Sequence, residues 1–257
     1  MCEIGTYQWN QKSRGFLSRK KKFRIVGMLV KAQMTNFVQR SRYMLGWSKE
    51  ALARIDFDAI IRPDSKLALA AEELCQTLHS PILANHCYRT YYWGALLAQA
   101  DGFSIDAELL YVGCLLHDLG LSDTYSPEAT HSCFALNGAN LAYNLALEHG
   151  WQHTKAETLY NSIGLHLNPL VNATEHGPEA KLLGNGAYLD IVGLRHYCLT
   201  TDAIQRVHKL YPREQFVPEI LRIMSEIQHP PDTRSGFMSN IGIDFLAKRN
   251  PLDKGNR

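Results

Sequence analysis

The stretch Leu109–Gly120, with the sequence LLYVGCLLHDLG, decides the fold prediction. Its first eight residues, up to Leu116, carry no charge and almost no polarity. Asp106 before this run is a good helix N-cap, and Gly120 after it is a good helix stop. An apolar run of this length also fits a buried strand, but end signals on both sides favour a buried helix.

His117 and Asp118 follow the apolar run directly. Burial of an ionisable pair is costly unless something compensates it, and a metal ion is a common compensation. Neighbours on a regular helix point about 100° apart, so both residues can serve one site only where the helix ends or distorts. Leu119 and Gly120 provide such an end. The pair therefore predicts a site at the end of a buried helix.

The composition is that of a globular chain. Of its 257 residues, 46% are hydrophobic and 20% are charged, which is typical of soluble domains. No apolar run reaches the roughly 20 residues that cross a bilayer, and the start of the chain lacks the pattern of a secretory leader, so we expect a cytoplasmic protein. The cysteines have no CxxC spacing and predict small core residues and free thiols in a reducing compartment; they are Cys2, Cys75, Cys87, Cys114, Cys133 and Cys198.

Basic residues are concentrated near the N-terminus. Residues 1–45 contain ten Lys and Arg and one acid, whereas the whole chain has 27 basic and 25 acidic residues. The basic cluster Arg19–Arg24 and the apolar patch Ile25–Val30 after it are typical of a segment that contacts an anionic membrane or nucleic acid. The alternative is a solvated extension. We favour the solvated extension, with weak membrane-surface contact by residues 19–30 as the competing interpretation, and we expect no specific binding of nucleic acid.

The remainder of the chain has helical periodicity. Residues 64–228 form a series of apolar or amphipathic segments with capping signals. No run alternates polar and apolar residues between turn dipeptides, as strands do. The predicted class is all-α, with a basic N-terminal extension over 1–63, a helical domain over 64–228 and a loop-rich tail over 229–257.

Two further predicted helices carry polar residues at buried positions. One helix begins at Ser80-Pro81, and its residues His86, Arg89 and Trp93 share one face. The other has Asp190 with apolar residues on both sides. A histidine, an arginine and a carboxylate that face inward indicate a polar site within an apolar wall.

His86, His117, Asp118 and Asp190 form a mixed nitrogen and oxygen set on separate predicted helices. Such a set suits a divalent ion such as zinc, iron or manganese. The alternative is a histidine–carboxylate network that ties the helices together. A buried network of that kind needs every donor and acceptor to be satisfied.

The order His, His-Asp, Asp on helices resembles the HD-domain superfamily of metal-dependent hydrolases, and the flanking residues are similar to its cyanamide hydratase-like branch. The similarity covers roughly residues 78–215 and rests on Asn85-His86-xx-Arg89, Leu115-Leu116-His117-Asp118-Leu119-Gly120, Phe134-xxx-Gly138-Ala139, Leu165-His166 and Gly186-Ala187-xx-Asp190. It implies an HD-domain helical bundle with a divalent metal between helices, most consistent with Zn²⁺, bound by His86, His117, Asp118 and Asp190. The chain departs from the family pattern at Cys133, Ala135 and Asn137, where such relatives tend to carry charged residues.

The chemistry expected of such a site starts from the ion. A divalent metal lowers the pKa of bound water from about 16 towards 7 and polarises a substrate atom. His166 is the first candidate for proton transfer, because an imidazole titrates at about pH 6.5, and His131 is the second. Either histidine could instead be a surface or core residue. Arg89 could hold an anionic substrate or pair with an acid behind the ligands.

Three functions fit this pattern. The resemblance implies addition of water to a nitrile-like group of a small molecule, in a tight pocket with Trp93 in its wall. The second is a phosphohydrolase of nucleotides or phosphomonoesters, which needs converging cations; the sequence offers mainly Arg89 and Arg195 and no Gly-rich phosphate loop. The third is an inactive, metal-stabilised binding module. A pocket with few cations favours hydration, and a wide cationic mouth favours phosphoester cleavage. A homo-oligomer is compatible with all three.

Overall fold

The computed structural model describes residues 3–13, 15–122, 124–125, 132–227 and 229–256. Within these ranges the chain is helical and forms no β-strand, apart from an isolated bridge between Phe16 and Thr233, which confirms the all-α prediction. The α-helices are α1 (Tyr7–Ser13), α2 (Arg19–Met44), α3 (Lys49–Ala53), α4 (Lys66–Leu78), α5 (Pro81–Asp101), α6 (Ala107–Leu116), α7 (Phe134–Glu148), α8 (His153–Leu165), α9 (Ala173–His176), α10 (Pro178–Val192), α11 (Thr201–Leu210), α12 (Phe216–Glu226), α13 (Arg234–Asn240) and α14 (Ile243–Ala247). Short 3₁₀ helices cover Leu119–Leu121, His196–Cys198 and Pro251–Asn256.

Capping side chains fix where the central helices begin. The Ser80 hydroxyl accepts a hydrogen bond from the Leu83 N–H at 3.3 Å, and Pro81 occupies the first turn of α5. The Asp106 carboxylate accepts from the Leu109 N–H at 3.0 Å at the start of α6. Each cap satisfies an N–H group that the first turn of a helix leaves without a partner. Both predicted helix starts are confirmed.

Helix α5 lies at the centre of the bundle. It is buried on nearly all sides and packs along α10, while α4, α6 and α12 contact it from other directions. Gly186 allows the close approach of α10, because a Cβ atom at this position would overlap the carbonyl oxygen of Thr90 on α5. Asp190, one turn further along α10, is thereby brought beside His86 of α5.

The two ends of the chain meet on the bundle. Ile4 is buried, and its carbonyl oxygen accepts a hydrogen bond from Asn168 Nδ2 at 2.7 Å. The Leu17 N–H donates to the carbonyl oxygen of Asp232 at 2.7 Å. The segment 229–257, which the sequence predicts as a loop-rich tail, includes the two short helices α13 and α14. The three domain boundaries stay predictions.

Helix α2 is largely exposed. Of its 26 residues, Ile25 is the buried one, and the hydroxyl of Tyr197 donates to Asn36 Oδ1 at 2.7 Å. Among the described residues, no helix combines the length and the apolarity that a bilayer crossing requires.

Candidate metal centre

Three helices bring ionisable side chains to one buried point. His86 comes from α5, His117 and Asp118 follow the end of α6, and His166 follows the end of α8. His117 Nε2 lies 3.3 Å and His86 Nε2 3.5 Å from Asp118 Oδ2, and His166 Nε2 lies 4.0 Å from Asp118 Oδ1. All four side chains are buried. The carboxylate of Asp118 is therefore the centre of the cluster.

The end of α6 explains how two adjacent residues face one point. His117 still has helical backbone angles, with φ −63° and ψ −31°. Asp118 has left the helix, with φ −103° and ψ 8°. The change in backbone direction removes the angular separation that a regular helix would impose. The short 3₁₀ helix from Leu119 then continues the chain away from the site.

A hydrogen bond at Nδ1 orients each of the three imidazoles. The Nδ1 atoms of His117 and His166 donate to the carbonyl oxygens of Cys114 and Ile163, each at 2.7 Å. His86 Nδ1 donates to Asp190 Oδ2 at 2.7 Å. Because a proton at Nδ1 leaves the lone pair of a neutral imidazole on Nε2, all three rings present that lone pair towards Asp118. This is the arrangement in which histidines ligate a metal.

The cluster fits a divalent cation. His86 Nε2 is buried and has no hydrogen-bond partner among the described residues. One ligand atom each from His86, His117 and Asp118 lies within 4.8 Å of the other two. Buried lone pairs and a carboxylate that converge in this way need positive charge between them, and nitrogen and oxygen donors of this kind suit zinc and similar ions.

Burial and the neighbouring charges shift the pKa values of the cluster in different directions. Burial favours the neutral form of Asp118, but the charges of His117, His86 and His166 hold the pKa of this carboxyl below its usual value. Burial disfavours a charge on His117, yet Asp118 beside it raises the pKa of His117 above its ordinary value. Burial, followed by the charge of His117, lowers the pKa of His166 to about 3. His166 is therefore neutral near pH 7.

Asp190 contacts His86 at Nδ1 and is not among the residues whose ligand atoms lie within 4.8 Å of one another around His117 and Asp118. Its Oδ2 accepts from His86 Nδ1 and, at 2.8 Å, from Arg89 Nη2. Its Oδ1 accepts from Arg89 Nε at 2.8 Å and Trp93 Nε1 at 2.9 Å. Since Nδ1 and Nε2 are on different sides of an imidazole ring, the structure places Asp190 behind His86, where it orients the ring. The sequence predicts Asp190 as a direct metal ligand. The residue is buried, as predicted, but its oxygens face His86 Nδ1, Arg89 and Trp93.

The two arginines that the sequence offers for substrate binding have structural partners instead. Arg89, a candidate substrate-binding residue, is fully buried and also donates from Nη1 to the Pro212 carbonyl oxygen at 2.7 Å. The sequence left two roles open for Arg89, and in the structure Arg89 pairs with an acid, Asp190. Arg195 forms a two-pronged ion pair with Asp101, at 2.6 and 3.0 Å.

Sequence reasoning missed Arg213. Its Nη1 lies 3.1 Å from Asp190 Oδ1, and its Nε donates to Asp253 Oδ1 at 2.7 Å. Arg89 and Arg213 together keep the pKa of Asp190 well below its usual range, against the opposing effect of burial. The signal available in the sequence is indirect: a carboxylate predicted to be buried in an apolar run needs cationic partners.

A cavity of about 190 Å³ reaches the cluster. Its polar lining includes His117, Asp118 and His166, and most of its wall is apolar. The apolar wall residues come from the 3₁₀ helix after α6, from α7, α10, α12, α13 and α14, and from the segment after His166; they are Leu121, Phe134, Leu167, Ala187, Ile191, Ile220, Leu221, Met224, Met238, Ile243 and Ala247. No lysine or arginine is among the described residues that line it. This volume is below the roughly 300 Å³ at which pockets for drug-sized ligands begin.

Two sequence expectations about this pocket have different outcomes. Trp93, expected in the wall, is fully buried and bonded to Asp190, outside the lining of the cavity. His166 is in the lining, as a residue beside reacting groups would be. His131, the second candidate for proton transfer, lies outside the described residues.

The fold and the site define an HD-domain protein. Residues 83–214, half of the chain, match the HD domain. The chain therefore belongs to this family of metal-dependent hydrolases and hydratases. It is similar to cyanamide hydratase DDI2 and to cyanamide hydratase DDI3 of Saccharomyces cerevisiae. Each of these relatives is 26% identical over 192 residues, which cover 72% of this chain and 82% of the relative.

Proposed function

We propose that this protein adds water to the carbon–nitrogen triple bond of a small, uncharged nitrile-like molecule such as cyanamide. The observation that carries the proposal is the cavity. It is small, largely apolar, free of lysine and arginine among its described lining residues, and it reaches His117, Asp118 and His166. The similarity to two cyanamide hydratases supports the same substrate class.

We further propose that His86, His117 and Asp118 bind the divalent cation, with zinc the most consistent and iron or manganese as alternatives. When bound, the cation would supply a Lewis acid that polarises the substrate and acidifies a water molecule. Asp190 holds the His86 ring and fixes the proton on its Nδ1. Such a carboxylate–histidine pair behind a ligand is a common support of metal sites.

His166 is the residue we assign to proton transfer. Its Nδ1 proton is held by the Ile163 carbonyl oxygen, and its Nε2 faces the cavity side of Asp118. A neutral imidazole with a free Nε2 can accept a proton from the attacking water and donate it to the substrate nitrogen. In the complete reaction the water oxygen bonds to the nitrile carbon and both water protons end on nitrogen, so the product is an amide and no group leaves.

Hydration releases no leaving group, whereas phosphoester cleavage does, and the two reactions also differ in the charge of their substrates. Phosphoester substrates and their products are anions, which cationic side chains usually bind. Buried Arg89 and Arg213 are paired with Asp190, and buried Arg234, whose charge acts on His166, donates to Asn168 Oδ1 and is outside the described lining of the cavity. The arrangement therefore favours the uncharged substrate. The intact ligand cluster argues against an inactive binding module.

The test is a substrate comparison with the metal-loaded chain. Cyanamide and other small nitriles are assayed beside a panel of nucleotides and phosphomonoesters at the same enzyme concentration. We expect turnover of a small nitrile to the amide and no phosphate release. Phosphate release without nitrile turnover would overturn the proposed reaction.

We also propose that α2 contacts anionic membrane surfaces. The helix has eight Lys and Arg and no acid, and Phe23, Val30, Phe37 and Met44 recur every seven residues along one exposed stripe. Phe23 is 77% and Phe37 71% exposed. A basic helix with an apolar stripe suits the interface of an anionic bilayer. A second copy of the helix would bring like charges together, which disfavours self-association through this stripe.

A cytoplasmic location and a homo-oligomer stay predictions. The free, buried state of the cysteines supports a reducing compartment; those described are Cys75, Cys87, Cys114, Cys133 and Cys198.

A further inference from the structure

A second cluster of metal-ligating side chains lies where α4 meets α5. Cys75 is on the last turn of α4, His79 directly follows that helix, and Cys87 is on the second turn of α5. One ligand atom from each residue lies within 4.8 Å of the other two. The two cysteines are fully buried, and burial, followed by the neighbouring Cys75 thiol, raises the pKa of the Cys87 thiol well above its ordinary value.

His79 is the residue of this cluster whose buried ring nitrogens indicate a ligand. Only 6% of it is exposed, and neither Nδ1 nor Nε2 has a hydrogen-bond partner among the described residues. A buried polar group without a partner is unfavourable. Burial lowers the pKa of His79 to about 4, so its ring is neutral near pH 7 and one nitrogen offers a lone pair.

This cluster is separate from the centre at Asp118. His86 and Cys87 are adjacent on α5, and neighbours on a helix point about 100° apart. His86 faces Asp118, whereas Cys87 faces Cys75 on α4. The two clusters share no residue, and only the one at α4 contains sulfur.

We propose that Cys75, His79 and Cys87 bind a thiophilic d¹⁰ cation of the Zn²⁺ class. Two sulfurs and one imidazole nitrogen are the donors that such ions prefer, and sets of two cysteines and one histidine recur as zinc ligands. Binding releases the two thiol protons, because thiolates are the ligating form. The ion joins the end of α4 to α5 one residue from His86, and it provides the partner that His79 lacks.

The experiment uses Co²⁺ as a spectroscopic substitute for Zn²⁺ in the full, reduced chain. Thiolate ligation of Co²⁺ gives an intense ligand-to-metal absorption, and the centre at Asp118 has no sulfur ligand, so this absorption reports only on the cysteine cluster. We expect the absorption in the unaltered chain and in His117→Ala, and its loss in Cys75→Ser/Cys87→Ser. Cys198→Ser, which alters a buried cysteine elsewhere, is the matched control and should retain it.

Two results would overturn the proposal. The first is a reduced, unaltered chain that binds Co²⁺ without thiolate absorption. This measurement needs no variant, so it does not depend on whether the variants fold. The second is a Cys75–Cys87 disulfide found by mass spectrometry after purification with Zn²⁺ in excess. Failure of the proposed hydration is read separately, because nitrile turnover depends on the centre at Asp118.

Discussion

Asp190 is the single residue that anchors the site. Both of its oxygens are occupied by donors from α5, and Arg213 adds a further cation at 3.1 Å. A buried carboxylate is tolerated when its charge is compensated in this way. The result is a His86 ring whose orientation is fixed before any ion binds.

The substitution Asp190→Asn tests this anchoring role. It leaves buried Arg89 without a counter-charge and Arg213 with Asp253 alone, and loss of one partner of a buried pair costs about 3–5 kcal/mol. Misorientation of His86 should also weaken metal binding by about 10–100-fold. Denaturant unfolding and metal titration measure the two effects. As a control, Asp58→Asn removes a surface ion pair with Arg206 and should change neither quantity; unchanged metal affinity in Asp190→Asn would contradict the anchoring role.

The substitution His166→Gln separates proton transfer from ligation. Loss of a general acid–base typically reduces kcat by about 10²–10⁴-fold, while His86, His117 and Asp118 remain to hold the metal. We therefore expect low nitrile turnover at normal metal content. The exposed His149→Gln is the control and should have full activity. If His166→Gln lost the metal together with activity, His166 would be a ligand instead.

The sequence was sufficient to predict most residues of the site, but not which atoms they contact. Helical spacing placed His86, Arg89 and Trp93 on one face, and the apolar run before His117 indicated burial. The direction of a side chain was not predictable. Asp190 was correctly expected to be buried, yet whether it faced Nδ1 or Nε2 of His86 depends on the approach of α10 to α5.

At the scale of elements, the contact between α5 and α10 positions the site. Gly186 is a point of close approach, since its missing Cβ leaves space for the Thr90 carbonyl oxygen. A backbone atom cannot move aside as a flexible side chain can. The distance between the helices, and hence the contact of Asp190 with His86, depends on this glycine.

Gly186→Ala is expected to force α10 away from α5. Overpacking of this kind typically costs about 1–3 kcal/mol, and here it should also lower metal affinity. Gly27→Ala is the matched control, because Gly27 is in α2 and a Cβ atom added there would have open space within 4 Å. Alanine there should stabilise the chain slightly, as it does inside helices. Thermal unfolding of both variants checks the difference, and equal stability would contradict the close contact.

Helix α2 makes a second prediction at this scale. Phe23→Asp/Phe37→Asp should reduce co-sedimentation with vesicles of mixed phosphatidylserine and phosphatidylcholine by tenfold or more, because each phenylalanine contributes about 1.5–3 kcal/mol when buried. Added salt should weaken binding of the unaltered chain. Ile61→Asp changes an equally exposed residue elsewhere and should leave binding intact. Equal binding to uncharged vesicles would contradict the role of the basic residues.

In the molecule as a whole, the C-terminal segment forms part of the wall of the site. Met238, Ile243 and Ala247 from the last thirty residues line the cavity, although the sequence suggested a loop-rich tail there. Helices α13 and α14 have 7 and 5 residues, and helices this short are stabilised by packing more than by local sequence. Sequence patterns could therefore give the helical class and the buried ligands, but not which distant segment closes the pocket.

The central claim is that His86, His117 and Asp118 hold a divalent cation required for turnover. Elemental analysis of the purified chain and of His117→Ala, paired with nitrile turnover of the same preparations, tests it most directly. We expect His117→Ala to contain about one ion per chain less than the unaltered protein and to have no turnover, with its helical circular dichroism retained. Equal metal content in the two preparations would show that His117 does not hold the ion.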